Sequence, residues 1–309
     1  MTKLIDTPLL APLADFALLS ITGNDRHEFL HAQFINDLNL IEKPAAQLSG
    51  WCNPKGQVIS NFLIINTGTS YLLLFKDELK ELIYKRLSMF VLRADVQIND
   101  ISDQSPIYGL ANIKDLSIIG PDISNYPGNV QAFAGLIICC LPDNSDRYLI
   151  MGSKEIIESK VSELTPSIQL SDNATWELLD ILAGLPWITS TTQEQYLPQM
   201  LNLDALHGLS YQKGCYPGQE VIARLHYKGK VKKRLQLIKL EQAVSIGNDI
   251  SIDDPDNHVG NIVNTAKHSD GTIYALAVIE IDSIDKKLII ENQPDNKITV
   301  LDLPYAIEV

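Results

Sequence analysis

Apolar positions over the first two-thirds of the chain switch between the spacing of strands and the spacing of helices. Short apolar runs rich in β-forming residues predict strands at 14–22, 57–66, 70–75, 91–98, 106–112, 116–120, 135–141 and 147–151. Apolar residues three and four positions apart predict helices at 25–41, 76–90 and 153–164. The first helix opens with Asp25 and Glu28 at the spacing of a capping box. Because strands and helices mix without a regular strand–helix–strand repeat, the pattern indicates an α+β fold.

Two later segments complete the pattern. Asp172 or Asn173 is suited to cap a helix that stops before Gly184 and Pro186. Beyond about residue 231, short strands divided by Gly, Asn, Asp and Pro turns are predicted at 234–240, 259–266, 272–281, 287–291 and 298–303. That spacing predicts a small all-β barrel or sandwich as a separate domain. We therefore expect an α+β region over 1–230 and a β domain over 231–309.

The composition is that of a globular protein with an acidic surface. Of the 309 residues, 45% are hydrophobic and 20% are charged, and the formal net charge is −13. This balance argues against a general nucleic-acid binder, because binding to a phosphate backbone needs clustered Lys and Arg. A local basic pocket could still hold an anionic ligand.

The cysteines and the N-terminal segment predict a cytosolic protein. Cys52, Cys139, Cys140 and Cys215 form no CxxC pair, and the vicinal pair lies in an apolar run where buried thiols are expected. A disulfide-rich secreted protein uses cysteine differently. The N-terminal segment lacks a signal-peptide profile, and no apolar run approaches the ~20 residues that span a membrane.

The spacing of possible metal ligands predicts no metal site. The six histidines show no HxH or HxxxH pattern. Asp253, Asp254 and Asp256 do not follow the spacing of a calcium loop, so they are interpreted as a turn.

The segment 210–234 is the most informative part of the chain. Cys215 lies between Lys213 and a predicted short helix, in which Pro217 suits the first turn and Glu220 an N-terminal position. A thiolate in this place would be stabilised by the helix dipole and the lysine. Flanking glycines would let a ligand approach the backbone closely. From the residues alone, a tight turn with a half-buried structural cysteine is an equal alternative.

The octapeptide KGCYPGQE (213–220) resembles the K-G-C-Y-x-G-Q-E signature of the YgfZ family of folate-binding proteins linked to tRNA modification. Flanking segments resemble the family in the same order over nearly the whole chain. The resemblance implies two interlocked α+β subdomains and a C-terminal β-barrel, arranged as a ring around a folate cavity. It makes Cys215 the candidate functional thiol beside Lys213. Candidate folate contacts in this segment are Tyr216, Gly218, Gln219, Glu220 and Arg224.

Two aromatic residues match family positions that contact folate. Phe16 stands where relatives place an aromatic residue, usually Trp, and Trp176 matches a second folate-contacting Trp. A flat pterin or aminobenzoyl ring gains from stacking on aromatic side chains. Without the resemblance, both residues would be interpreted as core aromatics.

Two departures bear on the chemistry. Similar aminomethyltransferases carry a pair of acids where this chain has Ser60 and Asn61, which are neutral and cannot stabilise a developing cation or accept a proton. Relatives also place a Glu at the position of Leu182, so the pterin would need Asp180 or Glu194 instead. These departures disfavour a classical aminomethyltransferase.

A basic run interrupts the acidic chain between residues 224 and 239. It contains no acid and comprises Arg224, Lys228, Lys230, Lys232, Lys233, Arg234 and Lys239. It could receive the glutamate tail of folate, touch an RNA backbone, or be a solvated linker strand.

Three hypotheses follow. The favoured one is a folate-dependent accessory protein whose partners, by family resemblance, are iron–sulfur proteins or their assembly factors, with at most weak or indirect contact with tRNA. The second is a true aminomethyl or one-carbon transferase. The third is an RNA-binding module, against which the overall acidity counts.

Overall fold

The computed structural model describes residues 5–41, 43–143, 145–252 and 257–307, so the turn interpreted at Asp253, Asp254 and Asp256 lies outside the described residues. The strands are β1 (Leu9–Pro12), β2 (Phe16–Thr22), β3 (Ala45–Cys52), β4 (Val58–Asn66), β5 (Tyr71–Lys76), β6 (Gln97–Asp100), β7 (Ile107–Ala111), β8 (Val130–Phe133), β9 (Leu136–Cys140), β10 (Arg147–Met151), β11 (Gln169–Leu170), β12 (Lys233–Leu240), β13 (Asp249–Ile252), β14 (His258–Lys267), β15 (Ile273–Glu280), β16 (Leu288–Ile290) and β17 (Ile298–Leu301). The helices are α1 (Arg26–Gln33), α2 (Lys80–Val91), α3 (Lys154–Leu164), α4 (Asn173–Leu182) and α5 (Gln219–Lys228).

The chain divides into two compact units that alternate along the sequence. The first unit comprises Met1–Leu30, Leu38–Gln47 and Phe62–Trp176, and the second comprises His31–Asp37, Leu48–Asn61 and Glu177–Val309. The division passes through β3 and β4. The boundary expected at residue 231 stays a prediction, and β12 begins two residues later, at Lys233.

Two sheets contain the strands of the α+β region. One has the order β11-β1-β7-β10-β9-β8, and its apolar face packs with α3 in a core that includes Leu110, Ile150 and Ile157. The other has the order β3-β4-β5-β2-β6, in which β2 and β5 are antiparallel and Phe16 is opposite Lys76. Asp172 caps α4, because its carboxylate accepts a hydrogen bond from the Thr175 N–H at 2.9 Å.

The C-terminal sheet has the order β16-β13-β14-β15-β12-β17, and its strand pairs are antiparallel. Its core contains alternating inward residues such as Ile238, Ile262 and Ala275. The sequence missed β13 but predicted the positions of the other five strands. Helices and separate, mainly antiparallel sheets, in which β1 and β11 are a parallel pair, make the α+β prediction correct.

Three predicted elements are wrong. The strand expected at 91–98 begins only at Gln97, because α2 continues to Val91 and a turn follows it. The helix expected over 25–41 ends at Gln33, and a 3-10 turn follows at Leu38–Ile41. The Asn36 amide instead donates to the carbonyls of Leu48 at 2.8 Å and His207 at 2.7 Å, which takes the chain out of the helix. The strand expected at 116–120 is a 3-10 turn, because the Asp115 carboxylate caps the Ser117 N–H.

Candidate functional site

The octapeptide forms a loop that leads into α5. The helix begins at Gln219, with Gly218 as its N-cap residue in the left-handed conformation (φ 83°). Pro217 was expected in the first helical turn and instead precedes the cap, which corrects that prediction. Cys215 therefore lies three residues before the cap, on the loop and not on the helix.

A backbone contact fixes where this loop meets the rest of the second unit. The turn Asn53–Gln57 between β3 and β4 is closed by the Gly56 N–H, which donates to the Asn53 carbonyl at 2.9 Å. A Cβ atom on Gly218 would lie 2.6 Å from that carbonyl oxygen and 2.6 Å from the Gly56 Cα. Gly218 is thus required by its positive φ and by the close approach of two main chains.

Lys213 anchors the loop at its start. Its buried ammonium donates to the carbonyl of His31 and, at 2.5 Å, to that of Phe34, where α1 has just ended. The nitrogen also lies 5.0 Å from the centroid of the Tyr216 ring. Burial lowers the pKa of Lys213 to about 8, partly offset by the nearby Asp37 carboxylate. The sequence expected this lysine to support the Cys215 thiolate, but its hydrogen bonds go to the main chain.

Cys215 differs from the other three cysteines in exposure. It is exposed, whereas Cys52, Cys139 and Cys140 are buried. Burial raises the pKa of Cys52 and Cys139 far above the ordinary thiol value and raises that of Cys140 to about 11. Among the four, Cys215 is the thiol that a reagent or partner can reach in the folded chain.

The remaining residues of the octapeptide divide between structural and exposed positions. Tyr216 is buried, and burial together with the neighbouring Cys52 raises its pKa. The Gln219 amide donates to the Lys213 carbonyl at 3.3 Å, which closes the loop. Glu220 and Arg224 are exposed on α5.

Phe16 lines a cavity in the first unit. Its ring carries the Lys76 ammonium at 4.5 Å from the centroid, and that lysine is paired with the Asp15 carboxylate. The cavity has a volume of about 420 Å³, within the ~300–1,000 Å³ range of ligand pockets. Besides Phe16 it is lined by apolar, hydroxyl and charged residues, including Tyr108, Ser102, Asp103, Lys80 and Lys154.

Trp176 occupies a different place in the first unit. It is only 2% exposed, and the Arg147 guanidinium lies 5.1 Å from its ring. A Cβ on Gly109 would meet two of its ring carbons at 2.4 Å, so the indole packs directly on the β7 backbone. Trp176 is not among the described residues that line the Phe16 cavity.

Ser60 and Asn61, expected from the sequence to replace a pair of acids, serve the fold of the second unit. Both are buried. The Asn61 amide donates to the Pro186 carbonyl at 2.7 Å and its oxygen accepts from the Ile188 N–H at 2.9 Å, while the Ser60 hydroxyl donates to the Asn61 carbonyl at 3.2 Å. Asn61 thus bridges β4 and the chain after α4.

Asp180 and Glu194, the acids expected to take the role of the missing Glu at position 182, lie in different surroundings. The buried Asp180 carboxylate accepts a hydrogen bond from the Trp187 indole N–H at 2.9 Å. Glu194 is half-buried in the left-handed conformation (φ 57°), with its N–H donating to Val58 at 2.8 Å.

The basic run divides into paired and exposed cations. Arg234 is buried and donates to Asp204 at 2.6 Å and to the Gln199 carbonyl at 2.8 Å, and Lys233 lies 3.5 Å from Glu280. The exposed cations are Arg224, Lys228, Lys230, Lys232 and Lys239.

An aromatic cluster beside these cations was missed by the sequence analysis. The His226 ring stacks on Tyr211, with centroids 3.7 Å apart and planes 9° apart. Tyr227 lies edge-on to both rings and is 66% exposed. The available signal was the adjacent pair His226-Tyr227 inside a basic helix.

The described residues contain neither a candidate membrane span nor a candidate metal site. None of their helices is both long and apolar enough to cross a membrane. No group of three or more His, Cys, Asp or Glu side chains among them could hold a metal ion.

The fold is similar to that of a solved aminomethyltransferase. The glycine cleavage system aminomethyltransferase T from Bartonella henselae superposes with a TM-score of 0.76 at 13% identity, covering 96% of this chain and 86% of that one. The chain therefore has the fold of the aminomethyltransferases. No family model matches it.

Sequence similarity identifies the family of the chain. A tRNA-modifying protein YgfZ from Colwellia psychrerythraea is 31% identical over 305 residues, which is 96% of this chain and 93% of that protein. The protein of the same name from Pectobacterium carotovorum is 28% identical over 308 residues, 97% of this chain and 92% of its own. The chain belongs to the YgfZ family, as the octapeptide and its flanks predicted.

Proposed function

We propose that this protein is a cytosolic, folate-binding accessory protein that supports tRNA modification through iron–sulfur enzymes or their assembly factors, with Cys215 as its working group. The observation that carries the proposal is the exposure of Cys215 on the family octapeptide while the other three thiols are buried. A free exposed thiol also suits a reducing compartment. The relatives are named for tRNA modification, which supplies the process.

Folate binding is supported by the aminomethyltransferase fold and by the cavity at Phe16. An aromatic wall suits a pterin or aminobenzoyl ring, and Lys154 at the same cavity suits a carboxylate tail, whereas Lys80 is already paired with Asp77 and Asp100. Tetrahydrofolate or a derivative is therefore the proposed ligand. Trp176 would act on it indirectly, since it packs against β7, whose Tyr108 lines the cavity.

The folate site is tested by calorimetry with tetrahydrofolate. Phe16→Leu keeps the apolar volume but removes the ring, and it should weaken binding by roughly 2- to 12-fold, the range of about 0.5–1.5 kcal/mol for aromatic stacking. Phe75→Leu, on the neighbouring strand β5 and equally buried, is the control. Trp176→Ala is a poor test, because emptying so buried a site costs about 3–5 kcal/mol of stability. Failure of the unmodified protein to bind removes folate from the proposal, and equal affinities for Phe16→Leu and the unmodified protein remove Phe16.

The thiol is tested by brief alkylation and by complementation. Iodoacetamide at neutral pH should label Cys215 in the folded protein and reach Cys52, Cys139 and Cys140 only after unfolding, as mass spectrometry will show. Cys215→Ala should keep its thermal stability, because an exposed thiol contributes little packing, yet fail to restore iron–sulfur-dependent tRNA modification in a deficient strain. Cys139→Ala, if stable, is the control that should complement. Full complementation by Cys215→Ala would show that the thiol is dispensable.

A further inference from the structure

The exposed side of α5 and of the segment after it carries four cations and a tyrosine. They are Arg224, Tyr227, Lys228, Lys230 and Lys232. We propose that this basic–aromatic face binds a single-stranded segment of RNA, with the lysines and arginine on phosphates and Tyr227 against an unpaired base. The inference rests on the proposed role in tRNA modification and adds a direct contact surface to it.

The charges of this face are available to an outside anion. In the part of the chain that the structure describes, no carboxylate lies within ion-pair distance of these four cations. The neighbouring cations of the same basic run differ, since Arg234 pairs with Asp204 and Lys233 with Glu280. The run thus combines a structural part within β12 and an unpaired part before it.

The spacing places the cations on one continuous side. Arg224 and Lys228 are four residues apart on α5, so they lie one turn apart on the same face. The helix ends at Gly229, which has an extended conformation (φ −110°, ψ −178°). Lys230 and Lys232 follow at alternate positions of the chain and are both exposed. This gives a row of positive charge of the kind that follows a nucleic-acid backbone.

The aromatic cluster favours RNA over a simple polyanion. The His226 ring is held in place by stacking on the Tyr211 ring. Tyr227 packs edge-on against these two rings, and most of its own surface is exposed. Bases stack on such rings irrespective of sequence. A polyglutamate tail would use the cations but has no flat group for Tyr227.

The acidity of the rest of the chain limits where and how tightly RNA can bind. A net charge of −13 disfavours a phosphate backbone elsewhere, so contact should be confined to this face. Binding through a few phosphates is weak and falls steeply with salt. The expected complex is therefore local and sensitive to ionic strength.

The test is fluorescence anisotropy with a labelled 12-nucleotide single-stranded RNA and the matching duplex, at 50 mM and 200 mM salt. The triple variant Lys228→Gln, Lys230→Gln, Lys232→Gln should bind more weakly and lower the salt slope by about 2, at about 0.7 per phosphate contact on a single strand. The matched control is Lys267→Gln, Lys286→Gln, Lys287→Gln, three exposed lysines of the C-terminal sheet region, which should leave binding unchanged.

Stacking is tested separately. Tyr227→Ala should weaken single-strand binding about five-fold or more and affect the duplex less, whereas Tyr126→Ala, an exposed tyrosine of the first unit, should change neither.

The proposal fails if the unmodified protein does not bind the RNA at 50 mM salt, if the control triple loses as much affinity as the test triple, or if Tyr227→Ala binds as tightly as the unmodified protein. Stronger binding of a free oligo-γ-glutamate at this face would also overturn it. Since the variants leave the Phe16 cavity and Cys215 intact, folate titration and complementation report separately on the proposed function.

Discussion

Lys213 contributes to the octapeptide by holding its loop in place. Its ammonium satisfies two carbonyls left over at the end of α1, more than 170 positions earlier in the chain. Helix C-terminal carbonyls need such donors, and a lysine supplies them with a favourable charge. We therefore interpret Lys213 as the residue that positions the Cys215 loop.

The buried state of Lys213 gives stability a characteristic pH dependence. Its pKa is lowered from 10.5 to about 8 in the folded chain, mainly by burial. Between these values the unfolded chain holds the proton that the folded chain has lost, so the free energy of unfolding rises with pH through this window. Urea titrations should show the free energy of unfolding of the unmodified protein rising, relative to that of Lys213→Met, from pH 8 to pH 10. Lys239→Met, at an exposed lysine, should show no such trend. A difference that stays constant over the window would mean that Lys213 titrates normally.

Among the elements, β12 is tied to the rest of the second unit at its start. The buried Arg234 guanidinium joins this strand to the Gln199 carbonyl and the Asp204 carboxylate. The neighbouring pair of Lys233 and Glu280 lies within the sheet and is partly exposed. Two adjacent cations of one basic run therefore differ in what they contribute.

Removing one member of the largely buried Arg234–Asp204 pair should lower the free energy of unfolding much more than removing one member of the partly exposed Lys233–Glu280 pair. Arg234→Met leaves the Asp204 carboxylate without this partner, for an expected loss of about 3–5 kcal/mol in the free energy of unfolding. Lys233→Gln should lose less than about 1 kcal/mol. Guanidinium denaturation of both variants measures the contrast. Equal losses would show that the Arg234 contact is not a stabilising anchor.

For helices and strands, the sequence predicted the presence of an element better than the residues at which it begins and ends. Strong apolar runs identified β2, β4, β5 and most of the C-terminal sheet. It missed the short strands β1, β8, β11 and β13 and also the eight-residue β3. It extended α1 too far because the Asn36 amide donates to carbonyls distant in the chain. The candidate site was likewise predicted only in part from the sequence. The motif indicated a thiol, but local spacing could not reveal the long-range partners of Lys213.

For the molecule as a whole, the fold leaves the activity open, and Asn61 is the residue on which our expectation about activity rests. The chain has an aminomethyltransferase fold, and at Asn61, where the resemblance leads us to expect an acid in the transferases, the amide donates to the Pro186 carbonyl and accepts from the Ile188 N–H. In this chain the Asn61 side chain stabilises the backbone through both hydrogen bonds.

We expect no aminomethyl transfer to tetrahydrofolate, measured as formation of the methylene product beside an active aminomethyltransferase. Asn61→Asp should not create the activity. It should lower the free energy of unfolding by about 1–3 kcal/mol, because the Pro186 carbonyl loses its donor. Turnover near 1 s⁻¹ by either protein, a rate ordinary for enzymes, would contradict this expectation.

The contact between Gly218 and the turn at Gly56 has a consequence for how this protein can change during evolution. The place of the thiol-bearing loop is set by one main chain resting on another, with no room for a Cβ at Gly218. Other positions of the loop can be substituted without moving that contact. At Gly214, for example, an added Cβ would meet nothing within 4 Å. Substitution of Gly218 must instead displace the loop as a whole, so we expect lineages that keep the cysteine to keep this glycine with it.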